Sequence, residues 1–504
     1  MSFRNLKLSI FFKKELIILY IIVIIGSILR FQGVWTNSFA FTYDVGRDML
    51  ALWNIVHIHK IPLIGQTTGI PGVFYGPWWY YMLTPFFVIF SGNPQGIALV
   101  MALIGISSII LAYLFGKRIG NSFLGIVMAI LVGISPSMVS TSSQIWNPNV
   151  APFLALLTLI VLERIYVLRK KAKPIYFLIL GALLMLNADI EILWGILFTI
   201  GILLSLFLIL RKQVTIKQII FLVIGGLIIL LPRIVFELRH GFIMSKSFIA
   251  FFSAKTLEDK LDFYHFLENR ALVHFGEFSK SFMSQGGYLA LALLIFIVIS
   301  ISLFYRKGPK IIKNLVLTSF ITILVFYVGS IVFSHALWSH YFVGLPVIYI
   351  FLLSASLFLI SKKIKNNYVG IAILIVLFAL NIKGSSIIRN FQKPLWEGDA
   401  SVYRNELSII DYVYGQAKGK PFKYVLYTPP VHDYTYQYLF KWYGPLKYNY
   451  APSVKAPLAF FIIEPDPGYP DRPKWFLEAR VKDGKIIKSK TVKAGIVVQT
   501  RDVR

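Results

Sequence analysis

What most constrains this chain is a succession of apolar runs separated by short clusters of lysine and arginine. Each run is long enough to cross roughly 30 Å of hydrocarbon, some only with interfacial residues included. They lie near 15–34, 96–116, 121–140, 148–168, 174–188, 190–210, 217–237, 287–305, 314–333, 340–360 and 367–384. A backbone in lipid must satisfy its own polar groups, so each run predicts a helix. The expectation is an all-α membrane bundle of about eleven transmembrane helices. Composition agrees: 57% of the 504 residues are hydrophobic and the mean hydropathy is +0.70, against roughly 45–50% apolar usage in soluble domains.

The net charge of +28, from 51 Lys+Arg against 23 Asp+Glu, fits nucleic acid, anionic lipid or acidic substrates until the charges are located. They sit mostly between the apolar runs: Lys117-Arg118, Arg169-Lys170-Lys171 with Lys173, Arg211-Lys212, Arg306-Lys307 with Lys310 and Lys313, and Lys362-Lys363 with Lys365. That is the positive-inside pattern and not a nucleic-acid-binding face, so nucleic acid is excluded as a partner. With eleven crossings each cluster falls on the side of Lys13-Lys14. The opposite short loops, 141–147, 188–190 and 334–339, contain no Lys or Arg.

The expected topology is therefore a multi-pass protein of the cell membrane with a cytoplasmic N-terminus and an extracytoplasmic C-terminus. Arg4, Lys7, Lys13 and Lys14 precede the first run, which ends in Arg30-Phe31-Gln32 with no small-residue cleavage site, so that run is read as a retained span. There is no cysteine, which excludes disulfides, thiol nucleophiles and Cys-ligated metals.

The chain divides into a transmembrane domain, 1–384, and an extracytoplasmic α/β domain, 385–504. Three outer segments are large: 35–95, 238–286 and the tail. In the first, 46–58 and Trp78–Phe90 are expected to lie along the outer leaflet. In the tail, Tyr424–Thr428 and Leu458–Glu464 read as strands, Ala400–Gly415 as a helix, 464–473 as a turn-rich loop and Lys485–Val498 as a closing hairpin. The tail is itself basic, 19 Lys+Arg against 11 Asp+Glu from Ser385 onward, and suits anionic headgroups.

The residues that can carry chemistry gather on the outer side. Phe41-Thr-Tyr-Asp44-Val-Gly-Arg47-Asp48 puts two carboxylates and a guanidinium about ten residues past the first span. A partly desolvated carboxylate there can accept a proton from an incoming hydroxyl, and Arg47 can hold it ionised or bind phosphate. The plainer alternative is an N-cap at Asp44 with an exposed Arg47/Asp48 ion pair. Beyond a Pro/Gly-rich bend comes Tyr75-Gly-Pro77-Trp78-Trp79-Tyr80-Tyr81, either a sugar-binding cluster or an interfacial aromatic belt.

Asp189 and Glu191, in a loop without a base, suit sugar or acceptor hydroxyls, a metal, or a polar turn. Gln144 to Asn149 offers amide and indole donors, or simply a helix start after Asn147-Pro148. Candidate phosphate contacts are Arg233, with Glu237 on the same helical face, followed by Arg239 and His240, and then His340 before the span at 340–360. In 238–286, Asp262-Phe-Tyr-His265 and His274 suit a cover over the site or acceptor recognition.

Taken together, the segment around Asp44, Arg47 and Pro77–Tyr81 resembles the first extracytoplasmic loop of GT-C fold glycosyltransferases of family 39, the protein O-mannosyltransferases and aminoarabinose transferases. In that family an Asp-Glu pair follows the first helix, an Arg comes shortly after, and a Pro-Pro-Leu-Tyr-Tyr-like segment leads to the second. Here Val45 replaces the second acid, and Asp48 supplies a carboxylate one turn on. The resemblance implies a GT-C-like bundle, a polyprenyl-phosphate sugar as donor, no metal or other cofactor, Asp44 as the base that activates an acceptor hydroxyl, and an inverting displacement. Donor or acceptor contacts are then expected from Arg47, Asp48, Tyr75, Trp78, Trp79, Tyr80, Asp189 and Glu191. Phosphate contacts are expected from Arg233, Arg239, His240 and His340.

Rival functions are a flippase or transporter of lipid-linked glycans, a surface-polysaccharide polymerase or ligase, and a non-catalytic receptor. Transporters favour charged or broken segments near mid-membrane, whereas the acids here collect at the outer boundary.

Overall fold

The computed structural model describes residues 14–253, 263–284, 286–333, 335–384, 398–429 and 432–503. Arg4, Lys7, Lys13, Asp262 and the first residues of the tail domain, 385–397, lie outside the described residues.

Helix α1 (Lys14–Trp35) is followed by two helices of the first large loop, α2 (Tyr43–Ile58) and α3 (Trp78–Ile89). The bundle continues with α4 (Pro94–Ile119), α5 (Ser122–Ile134), α6 (Pro136–Ser142), α7 (Ala151–Leu168), α8 (Pro174–Ile190), α9 (Ile192–Leu210) and α10 (Ile216–Arg239). After α11 (Ile243–Ser253) and α12 (Phe263–Phe282) come α13 (Gly287–Phe304), α14 (Lys310–Val332), α15 (Leu345–Ile364) and α16 (Tyr368–Gly384). Eight helices are long and apolar enough to cross a membrane, the bent pair α5–α6 makes a ninth, and α8 and Tyr368–Asn381 are shorter apolar helices. Together they fall on the eleven apolar runs.

Local chemistry sets the breaks. Ser135 caps α6 through its side chain and Pro136 opens it, so the chain turns by 61° between α5 and α6. Thr215 and Gln218 form a reciprocal capping box at the start of α10. Helix α15 is buried along most of its length and forms the centre of the bundle.

Two glycine contacts matter for the site. A Cβ on Gly181 of α8 would lie 1.9 Å from the Leu222 carbonyl oxygen of α10, and one on Gly225 would lie 1.9 Å from that of Leu178. Small residues therefore let α8 and α10 approach backbone to backbone, as at close helix crossings in membranes. That approach carries Arg233 to the end of α8.

The two ends of the bundle differ in character. At one, Lys117 pairs with Glu15 at 2.7 Å, Arg118 with Glu163 at 2.6 Å, and Gln218 donates to the carbonyl of Ala172. At the other, Gly76 N donates to the Asp189 carbonyl, and Asn147 Nδ2 donates to that of Ile190. The loops after Arg118 and Arg169 thus lie at one end of the bundle, and those carrying Gly76, Asn147 and Asp189 at the other.

The tail folds as α17 (Tyr403–Ala417), β1 (Phe422–Tyr427), α18 (Tyr434–Tyr448), β2 (Leu458–Ile463), α19 (Arg472–Glu478), β3 (Lys485–Thr491) and β4 (Val497–Asp502). The sheet order is β1-β2-β4-β3, with β1 parallel to β2 and the other pairs antiparallel. The expected strands are present, but the hairpin runs on to Asp502. Helix α18 was not expected: its aromatic run, Tyr434-Thr-Tyr-Gln-Tyr, also fits a strand, and burial of Tyr436, Tyr438, Leu439 and Phe440 decides for helix.

This domain does not stand apart from the first loop. Phe41 N donates to Ser401 O at 2.7 Å, Arg404 N to Asn37 O at 2.9 Å, and Trp442 Nε1 to Ser91 O at 2.8 Å. One apolar core runs from Val34 and Phe41 through Trp79 and Leu83 to Tyr438 and Val498.

Candidate active site

Helix α2 begins where Thr42 adopts extended backbone, so Asp44 lies in the first turn rather than at the cap. The plainer reading of Asp44 as an N-cap is corrected on this point. A carboxylate in the first turn still meets the positive end of the helix. Asp44 Oδ1 is 2.7 Å from Arg47 Nη1, and its side chain keeps 24% of its exposure.

Arg47 is held from the other side by Asp48, whose Oδ1 accepts from Nη2 at 3.0 Å and from Nε at 3.1 Å. Asp48 is buried and also accepts from Trp79 Nε1 at 2.8 Å and from the Tyr80 hydroxyl at 3.2 Å. Burial raises its carboxyl above the usual range, and Arg47 and Trp79 partly oppose that. Burial lowers Arg47, but the carboxylates of Asp48 and Asp44 outweigh it and hold the guanidinium charged. Asp48, Trp79 and Tyr80 thus form a bracket that fixes Arg47, while Asp44 is the member left open.

A second group assembles around the α8–α9 junction. Asp189 is fully buried; its Oδ2 accepts from Trp78 N at 3.1 Å, and its Oδ1 lies 3.1 Å from Arg233 Nε in an ion pair without hydrogen-bond alignment. Gly76 makes room for it, because a Cβ there would meet the carboxylate at 1.5 Å. Glu191 Oε2 accepts from the Tyr75 hydroxyl at 2.8 Å, and the Trp78 indole donates to Ile229 O at 2.8 Å. Burial raises the Tyr75 phenol, as do the Glu191 carboxylate, Tyr341 and Asp44. Tyr75 is therefore where the two groups come within electrostatic reach of each other.

The remaining candidates divide. Trp146 packs edge-on to His340, ring centroids 5.1 Å apart, and His340 against Tyr341 at 4.4 Å. His340 lies in the 3-10 turn before α15, which begins at Leu345 rather than at 340. Burial pulls its imidazole down to about 4, so near neutral pH it offers a hydrogen bond and not the positive charge that phosphate contact called for. Glu237 does not partner Arg233. It accepts instead from Met244 N, Ser245 N and Ser245 Oγ at the turn into α11. Arg239 and His240 are exposed, with His240 stacked on Phe236, and neither has a described contact with Asp44, Asp189 or Glu191. In the 238–286 segment, His274 is buried and its Nε2 lies 3.1 Å from Ser330 Oγ, while His265 stands edge-on to Tyr264.

Asp44 opens onto a cavity of about 780 Å³ between α2 and the tail domain. Its wall includes Phe41, Tyr43 and Pro429, and three acids from the tail, Asp399, Glu406 and Glu464. Sequence reading missed these acids. They are spread over positions 399–464 of the tail with no shared pattern, and only the fold brings them to one place. Among the described residues no three His, Asp or Glu are grouped as metal ligands.

The shape of the whole chain has solved counterparts. ArnT from Cupriavidus metallidurans in the apo state superposes with a TM-score of 0.51 at 12% identity, over 90% of this chain and 97% of that one. ArnT bound to undecaprenyl phosphate gives 0.54 at 12% identity, over 96% and 97%. The chain has the ArnT fold, of the GT-C class. An oligosaccharyltransferase from Archaeoglobus fulgidus in the apo form superposes less closely, at 0.45 and 15% identity over 85% of this chain and 60% of that one. No protein-family model and no curated protein matches the sequence. In this chain the helical bundle carries a small C-terminal sheet domain at one end. The two clusters around Asp44 and Asp189 sit at that same end.

Proposed function

We propose that this protein is a glycosyltransferase that moves a sugar from a polyprenyl-phosphate donor to an acceptor hydroxyl at the extracytoplasmic face of the cell membrane. The observation that carries this reading is Asp44: a carboxylate fixed by Arg47, open to a large cavity, at the sheet-domain end of an ArnT fold. The basic loops at the opposite end support an outward orientation.

Asp44 takes the proton of the acceptor hydroxyl as that oxygen bonds to the anomeric carbon. The bond from that carbon to the phosphate oxygen breaks, its electron pair leaves with the phosphate, and polyprenyl phosphate departs. The protonated Asp44 then returns its proton to solvent. A dianion forming near the membrane surface needs cations in place. Arg233 supplies one from the end of α10, where Asp189 orients it, and Arg47 supplies another beside Asp44. A structure of ArnT holds undecaprenyl phosphate, and the same carrier suits this chain.

The test is purified full-length protein with radiolabelled polyprenyl-phosphate sugars and extracted envelope acceptors. Donor consumption with label in the acceptor is the expected result. Labelled lipid that crosses vesicle membranes unconsumed would make the protein a transporter instead.

A further inference from the structure

The cavity beside Asp44 has an unusual electrostatic make-up. Asp44, Asp399, Glu406 and Glu464 line it, together with His432, and among the described residues no Lys or Arg does. In a chain of net charge +28 that concentration of acid is against composition. Asp399 is internally satisfied, its Oδ1 accepting from Ser401 N at 2.9 Å and Ser401 Oγ at 2.8 Å. Glu464 accepts from the Tyr436 hydroxyl at 2.9 Å.

Glu406 is different. It is only 2% exposed, and although the Thr435 side chain hydrogen-bonds its carboxyl, Oε2 has no hydrogen-bond partner among the described residues. An unsatisfied carboxylate oxygen at that depth is costly unless a donor arrives. Burial raises both Glu406 and Glu464 above the usual carboxylate range, with Glu464 reaching about 7, and the neighbouring carboxylates add to it. The rest of the wall is mixed: Phe41, Pro429, Pro465 and Pro467 are apolar, while Thr42, Tyr43, Thr428 and Thr435 bring hydroxyls.

A phosphate finds no cation among these lining residues, so the donor's leaving group belongs at Arg233 and Arg47 and not here. A hydrogen-bond donor with positive charge fits all the groups present. It satisfies Glu406 Oε2, takes the place of the protons that burial leaves on the two glutamates, and tolerates the apolar part of the wall around its carbon frame.

We propose that this cavity is the acceptor site and that Glu406 and Glu464 bind a protonated primary amine on the acceptor, leaving a neighbouring hydroxyl facing Asp44. The acceptor class is then an amine-bearing alcohol, such as an amino sugar. This rests on the glycosyltransferase reading for the role of Asp44, but not for the binding of the amine.

The test uses full-length protein in detergent, without any sugar-phosphate lipid, titrated calorimetrically with glucosamine near pH 7.5, where its amine is still largely protonated and Glu464, raised to about 7, is largely ionised. Glucosamine is expected to bind, whereas glucose and N-acetylglucosamine bind at least about tenfold more weakly, as loss of a charge-assisted hydrogen bond implies. Glu406→Gln and Glu464→Gln are each expected to weaken glucosamine by a similar factor while melting as the wild type does. Should either fail to fold, Asp399→Asn, which preserves the turn at Ser401, is expected to weaken binding about threefold through the lost charge. Equal binding of N-acetylglucosamine, or glucosamine binding indifferent to these substitutions, would overturn the proposal. So would calcium chloride binding in its place with loss on chelation. Because no sugar-phosphate lipid is present, failure here leaves the transfer reading standing, and failure of transfer with amine binding intact removes that reading alone.

Discussion

Asparagine in place of Asp44 is expected to lower the turnover of sugar transfer by about 10²- to 10⁴-fold, the range a positioned general base contributes. The change is isosteric. The amide oxygen of Asp44→Asn still accepts from Arg47 across the 2.7 Å contact, in the same first turn of α2, so the melting temperature and undecaprenyl phosphate binding are expected to stay near wild type. The measurement is initial rate against donor concentration, with kcat falling and KM little changed. Were Asp44 only one partner of an ion pair, worth at most about 1 kcal/mol at such exposure, turnover would fall by no more than a few-fold.

The other large effect concerns Gly46, on the same turn. A Cβ there would lie 2.4 Å from Thr435 N, 2.6 Å from Tyr434 C and 2.7 Å from Thr435 Cα. All three are backbone atoms, which cannot rotate aside as a side chain can. Gly46→Ala is therefore expected to push α18 off α2, costing roughly 1–3 kcal/mol or more by overpacking. It also opens the cavity that Asp44 shares with the tail domain. Lower melting temperature, faster proteolytic release of the tail domain and loss of transfer should appear together. Gly415→Ala is the contrast: no atom stands within 4 Å of that Cβ, in the interior of α17. There, helix propensity predicts a gain of roughly 0.5–1 kcal/mol. If the two substitutions behave alike, the close docking of α2 against α18 is wrong.

The bundle was legible because apolar length and charge position are local properties of the chain. The positions of the apolar helices, the outer loop helix around 46–58 and strands β1 and β2 of the tail could be read directly. The partnerships within the site could not. Tyr75 and Glu191 are 116 residues apart, and Arg233 reaches Asp189 only because Gly181 and Gly225 let two helices touch. Helical spacing makes Glu237 a partner for Arg233, yet the turn into α11 exposes two backbone amides that claim it first. His340 reads as a cation until its packing against Trp146 is known. Trp79 and Tyr80 read as a sugar platform or a membrane belt, and instead hold the carboxylate that fixes Arg47. The tail acids were hidden for a plainer reason: nothing near Glu406 or Glu464 in sequence marks either as facing a cavity.

The proposed mechanism makes Asp44 a base and not a nucleophile, with the sugar passing from phosphate to acceptor in one displacement. The anomeric configuration of the product, read by NMR after transfer from a donor of known configuration, tests this most directly. Inversion is the expected result. Retention would mean two displacements through a sugar bound to the protein, and would contradict the role given to Asp44.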